Sequence, residues 1–173
     1  MRPRNEKLAW LNGRYLRRLT TEETIARLRG HLLSDAYLGQ VIALCRDRVD
    51  TLEGFFDYGS FFFVGDVIYD AAAFTALAPT GRTPAECAKV LAALVEQQVD
   101  PLLEWTAPEI EAALKAFADG SGWPAKELYM AVRAAVTGRT ATPPLFETMA
   151  VLGKEVCRRR LRRAADVLRT GRA

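Results

Sequence analysis

A single histidine, His31, sets the first limit on what chemistry this chain can perform. It excludes HExxH zinc sites and acid–base pairs built on two histidines. His31 follows an expected helix over 21–30, where the helix dipole favours a cation, and its expected role is structural. Ser34-Asp35 beside it make no triad, and no GxSxG elbow occurs. Neither GxxxxGK(S/T) nor GxGxxG is present, so no phosphate-cradling loop is announced. Cys45, Cys87 and Cys157 lie far apart without CxxC spacing, which suits buried thiols in a reducing cytoplasm rather than a disulfide framework or a zinc site. The carboxylate pairs Glu22-Glu23, Asp47-Asp50 and Glu109-Glu111 fall where helix N-termini or exposed faces want them, not where a glycosidase or a metal would.

What remains is charge. The net charge of +3 hides a division along the 173 residues. Residues 1–18 hold six basic and one acidic side chain, and residues 154–173 hold eight basic and two acidic. The interval between them is acidic. Basic ends are the electrostatic sign of an anionic partner, nucleic acid being the commonest. The alternative is that Arg158, Arg159, Arg160, Arg162 and Arg163 form a solvated helix face.

The elements that must position these groups are helices. Thr20 with Glu23 has the capping-box pattern, followed by Ile25 and Leu28 at helical spacing. Thr83, Pro84 and Glu86 supply N-cap, N1 proline and N3 carboxylate ahead of Val90, Leu91, Leu94 and Val95. Thr106 and Glu109 repeat the device before Ile110, Leu114 and Phe117. Pro124 opens a run through Leu128, Val132 and Val136 that closes at Gly138. Thr142 is expected to cap a helix starting at Pro143-Pro144, and Lys154 to Leu168 reads as a final basic helix. No period-2 strand pattern competes, so the fold class is all-α, a two-part helical bundle.

Residues 55–63 break the rhythm with six aromatics in nine positions. Asp57 and Asp66 near them favour packing over base stacking. The same stretch is the expected boundary between a first helical subdomain, 1–68, and a second, 69–173. No apolar stretch approaches the roughly 18–20 residues that span a bilayer, and the N-terminus lacks a signal-peptide profile.

Two motifs sharpen the reading. Lys7-Leu8-Ala9-Trp10-Leu11-Asn12-Gly13-Arg14-Tyr15-Leu16-Arg17 resembles the KLxWxNGxYIR element that follows the catalytic region of bacterial glutamyl-tRNA synthetases. Arg133-Ala134-Ala135-Val136-Thr137-Gly138, then Thr142-Pro143-Pro144-Leu145-Phe146 and Leu152-Gly153-Lys154-Glu155, resemble that family's RxAxTG…(S/T)PxLFE…LGKE signature. Between them, Arg46-Asp47-Arg48-Val49-Asp50-Thr51-Leu52 matches its R-x-R-x-D-T-L helix end.

The resemblance implies the C-terminal, anticodon-binding half of such an enzyme, a helical cage in two subdomains. HIGH-like and KMSKS-like motifs are absent, so no catalysis is expected from this chain alone. ATP, glutamate and magnesium sites would belong to the catalytic part. The implied partner is the anticodon stem-loop of tRNA(Glu), bound by a cytoplasmic monomer. Carried over residue by residue, the anticodon contacts fall on Arg48, Lys115, Arg133, Thr140, Thr142, Pro143 and Leu145. Arg48 and Arg133 offer planar multi-donor heads for base edges or phosphate. The Thr142-Pro143 turn is expected to present amides at a helix N-terminus, with Pro143 and Leu145 packing on splayed bases. Lys115 offers a point charge where an Arg can occur in the family, and Thr140 replaces a larger apolar residue. Arg158, Arg159 and Arg162 are the candidates for the tRNA backbone. The competing class is a helical protein–protein docking domain using its basic ends for an acidic partner.

Overall fold

The computed structural model describes residues 4–31 and 33–171. The side chains of residues 4–9 and of His31 lie outside the described residues, so the expected role of His31 and the start of the Lys7–Arg17 element do too. The chain divides into two compact units, 1–40 and 41–173. Among the described residues no helix is long and apolar enough to cross a membrane.

The first unit holds α1 (Arg4–Leu16), α2 (Thr21–His31) and the start of α3 (Asp35–Cys45). The Thr20 capping box forms as expected: Thr20 N–H donates to Glu23 Oε2 at 2.8 Å and Glu23 N–H to Thr20 Oγ1 at 3.2 Å. Arg27 Nη2 donates to the Tyr15 hydroxyl at 2.5 Å with its guanidinium 5.1 Å from the Tyr15 ring centroid, tying α2 to α1.

The second unit continues with a 3-10 turn (Arg46–Arg48), α4 (Leu52–Gly59), a second 3-10 turn (Ser60–Phe62), α5 (Ala71–Leu77), α6 (Pro84–Leu94), a π-helical segment (Val95–Val99), α7 (Ala107–Ser121), α8 (Ala125–Thr137), α9 (Leu145–Leu152) and α10 (Lys154–Thr170). α10 is the centre of the bundle and packs on α6 and α8. Its Cys157, Leu161, Ala164, Ala165 and Leu168 recur at helical spacing and are all buried, which is why so arginine-rich a segment has a core face.

The basic helix also contributes a buried arginine to that core. Arg160 is 0% exposed, yet its guanidinium reaches four backbone carbonyls: Gly65 at 3.1 Å, Val136 at 2.5 Å, Phe61 at 2.8 Å and Val64 at 2.5 Å. An arginine is tolerated in an apolar interior only with its donors satisfied, and these carbonyls do so. The bonds also place the aromatic stretch. Phe61 and Phe62 are buried in the second unit, where the Phe61 carbonyl is bonded by Arg160 of α10.

Of the expected caps, Thr83 and Glu86 form the full reciprocal box. Thr106 is the N-cap of α7 but its side chain makes no capping bond. Thr142 is not a cap: α9 starts at Leu145 with Pro144 as N-cap, because the Thr142 hydroxyl is engaged elsewhere.

Candidate nucleic-acid interface

Two loop segments of the second unit carry most of the expected contact residues. The first is the turn between α3 and α4. The 3-10 turn ends where Val49 becomes extended (φ −136°, ψ 137°), and Thr51 then caps α4 by accepting from Gly54 N–H at 3.0 Å. Thrown outward by this reversal, Arg48 is exposed and has no partner among the described residues. Asp47, its neighbour, is paired instead with Arg46 at 3.5 Å.

The second segment joins α8 to α9. α8 stops at Gly138, whose φ of 71° is left-handed and whose absent Cβ matters: one built there would lie 2.5 Å from the Ile68 carbonyl oxygen. Thr137 Oγ1 donates to the Arg133 carbonyl at 2.7 Å and accepts from Arg139 N–H at 3.1 Å, holding the turn. Arg133 then closes the loop from below. Its Nη1 bonds the Thr142 hydroxyl and the Pro143 carbonyl, the latter at 2.9 Å. Burial pulls the half-buried Arg133 guanidinium below its ordinary pKa, and the Tyr58 hydroxyl acts in the opposite direction.

Thr140 is exposed within this loop, without a partner among the described residues. Pro143 is buried and Leu145 is 4% exposed, so neither presents the apolar face expected to pack on a base. Arg133 holds the Pro143 carbonyl, and Leu145 opens α9 as one of its buried residues. Lys115 is exposed on α7, which packs against α8 and α9, and is likewise unpartnered among the described residues.

The three arginines expected along the tRNA backbone are committed within the protein. Arg158 bridges Asp100 at 3.5 Å and Glu155 at 2.9 Å. Arg159 pairs with Asp66 at 3.4 Å and donates to the Gly65 carbonyl at 2.8 Å, and Arg162 pairs with Asp100 at 2.8 Å. Arg163 completes the set on Asp66 at 2.9 Å. Two aspartates far away in sequence, Asp66 and Asp100, are thus each shared by two arginines of the basic helix, a pairing that sequence charge counting does not register.

Tyr58 of α4, which sequence reasoning passed over, feels the charges of both loop segments. Burial raises its phenol pKa, Arg48, Arg133 and Arg139 act against that rise, and Cys45 adds to it. Arg139, also passed over, lies next to the same segment: its Nη2 donates to Ser60 Oγ at 2.9 Å and its guanidinium stands 6.0 Å from the Phe61 ring centroid. The signal for Arg139 was its place directly after the RxAxTG element. The assembled groups are cationic multi-donor heads and hydroxyls, suited to binding acceptor-rich anions.

Comparison with known proteins shows the family. The chain is 34% identical to the glutamate–tRNA ligase of Acidothermus cellulolyticus, with 96% of this chain and 35% of the relative covered. It is 36% identical to that of Thermus thermophilus, with 92% and 34% covered. It therefore spans about a third of the length of the curated relatives it matches. Its fold is that of part of a glutamate tRNA ligase structure from Elizabethkingia meningosepticum (TM-score 0.68, 24% identity, 94% of this chain and 32% of that one). The family model described as anticodon binding domain matches residues 16–165, which contain the Arg48 turn and the whole α8–α9 loop, and the chain belongs to that family.

Proposed function

We propose that this chain is the anticodon-reading part of a glutamate–tRNA ligase, and that it binds the anticodon stem-loop of tRNA(Glu) while glutamate transfer, with its ATP and magnesium, belongs to the ligase's catalytic part. The observation that carries the reading is Arg48: an exposed guanidinium without a hydrogen-bond or ion-pair partner among the described residues, within the stretch that the anticodon binding domain family matches. The chain acts as a cytoplasmic monomer, and its three buried free thiols fit a reducing compartment.

In this reading Arg48, Arg133, Lys115, Thr140 and Thr142 offer their side chains to the RNA. Pro143 and Leu145 serve by shaping the loop from beneath. Unpaired loop bases are read on their exposed edges, and arginine supplies the donors for acceptor-rich ones. The test is direct: fluorescence anisotropy of the purified chain with labelled tRNA(Glu), tRNA(Gln) and an unrelated tRNA. Preferential binding of tRNA(Glu) is the expected result. Equal binding to all three reduces the chain to a general polyanion binder, and tight binding of an acidic protein but of no tRNA favours the docking-domain alternative.

A further inference from the structure

The arginines of the second unit sort into two groups by partner. Arg46, Arg82, Arg158, Arg159, Arg162, Arg163 and Arg169 each pair with a carboxylate, and Arg160 is enclosed by backbone carbonyls. Among the described arginines of this unit, those with neither a carboxylate nor a full enclosure of carbonyls are Arg48, Arg133 and Arg139. The same three act electrostatically on Tyr58. Each of the three keeps a charge that no carboxylate of the protein opposes, and holding like charges together costs stability unless an anion relieves it.

Arg48 and Arg133 are already accounted for by anticodon contact. Arg139 is not. Its backbone is fixed by the left-handed Gly138 and by Thr137 Oγ1, and its side chain spends one donor on Ser60, leaving the rest of a half-exposed guanidinium uncommitted. A neutral hydroxyl orients the head without cancelling its charge. Such a head, steered but still cationic, suits a phosphodiester oxygen, which accepts two parallel N–H bonds from arginine.

We propose that Arg139 is a further RNA-binding residue, gripping a backbone phosphate of the anticodon loop beside the bases that Arg48 and Arg133 contact. This rests on the anticodon-reading function above. A phosphate contact carries no base identity, so it positions the loop and does not choose between tRNAs.

The experiment measures binding of tRNA(Glu) and tRNA(Gln) to the parent chain and to Arg139→Gln, Ser60→Ala and Arg48→Gln over a series of salt concentrations. Arg139→Gln is expected to weaken both tRNAs by the same factor and to flatten the slope of log K against log salt by roughly 0.7–0.9, the share of one phosphate. Ser60→Ala keeps the charge and should leave that slope unchanged. An unchanged slope in Arg139→Gln overturns the proposal, as does a Ser60→Ala variant that reproduces its loss, which would make Arg139 a latch. A second measurement uses the parent alone: bound tRNA should protect Arg139 from phenylglyoxal, read by mass spectrometry. Modification at the same rate with and without tRNA, or protection by inorganic phosphate only, also overturns it. A parent that binds no tRNA instead defeats the anticodon-reading function itself.

Discussion

Arg133 Nη1 donates to the Pro143 carbonyl at 2.9 Å, so the guanidinium that the RNA would meet also closes the loop that carries Thr140 and Thr142. Under the proposed anticodon-reading function, recognition and loop geometry meet in one side chain. Residues that act as a unit give non-additive mutational effects, and this pair is built to do so.

The first expectation follows from that coupling. Arg133→Ala should lose about 1–3 kcal/mol of tRNA binding, and it should also lower thermal stability, because the bonds to Thr142 and Pro143 are worth roughly 1 kcal/mol each. Melting followed by circular dichroism separates the two effects. A variant with full stability and lost binding would mean that the Pro143 bond contributes nothing to the loop.

Arg158, Arg159 and Arg162 should behave differently from Arg139. Each is occupied by Asp100, Asp66 or Glu155, and exposed pairs of this kind contribute only about 0–1 kcal/mol. Replacing all three by Ala is expected to leave the salt slope of tRNA binding nearly unchanged while lowering the melting temperature modestly. A slope that falls by several units would return the basic helix to the RNA surface.

Gly138 and Arg160 are expected to be intolerant for distinct reasons. Gly138→Ala demands a left-handed backbone and puts a methyl 2.5 Å from the Ile68 carbonyl oxygen, a strain of order 1–3 kcal/mol or more. Arg160→Ala leaves four carbonyls without their donor and opens a cavity, with a cost of roughly 3–5 kcal/mol. Urea titration of both variants against the parent measures this.

Stability should also fall in alkali. Burial pushes the Cys157 thiol from 9.0 up to about 12 and the Tyr69 phenol from 10.0 up to about 12. Both groups are neutral when protonated, and the unfolded chain releases their protons at lower pH. Their contribution is thus complete below the unfolded values and disappears as pH climbs toward the folded ones. Melting temperatures should hold near neutrality and decline from about pH 9 upward, and a flat profile to about pH 11 would contradict these shifts.

The helices were legible because caps are local. Thr20-Glu23 and Thr83-Glu86 act within four residues, and both form as the pattern requires. Thr142 misleads because a residue on another helix, Arg133, takes its hydroxyl. The roles of the arginines of α10 were illegible for the same reason: Asp66 lies 97 residues before Arg163 and Asp100 lies 62 before Arg162. Charge counting along the chain pointed to the basic end, whereas in space the arginines there pair with Asp66 and Asp100, and Arg48, Arg133 and Arg139 do not pair with a carboxylate. Nor did any pattern mark the π-helical Val95–Val99, whose following carbonyls at Asp100 and Leu102 are capped by Lys154 Nζ at 2.9 and 2.6 Å.

The most direct test of the anticodon-reading function is the discrimination attributed to Arg48. Glutamate and glutamine anticodons differ at the third base, C against G. Arg48 presents only donors, which suit the O2 and N3 acceptors of C, whereas the Watson–Crick edge of G turns N1–H and N2–H₂ donors toward it. Facing donors in a desolvated contact cost energy, so rejection of G is expected to be part of the selectivity. The measurement is the affinity of parent and Arg48→Gln for tRNA(Glu) and tRNA(Gln) at one fixed salt concentration. The parent should prefer tRNA(Glu), and Arg48→Gln should narrow the gap by weakening tRNA(Glu) more than tRNA(Gln). An equal loss for both, or none for either, would contradict base reading by Arg48.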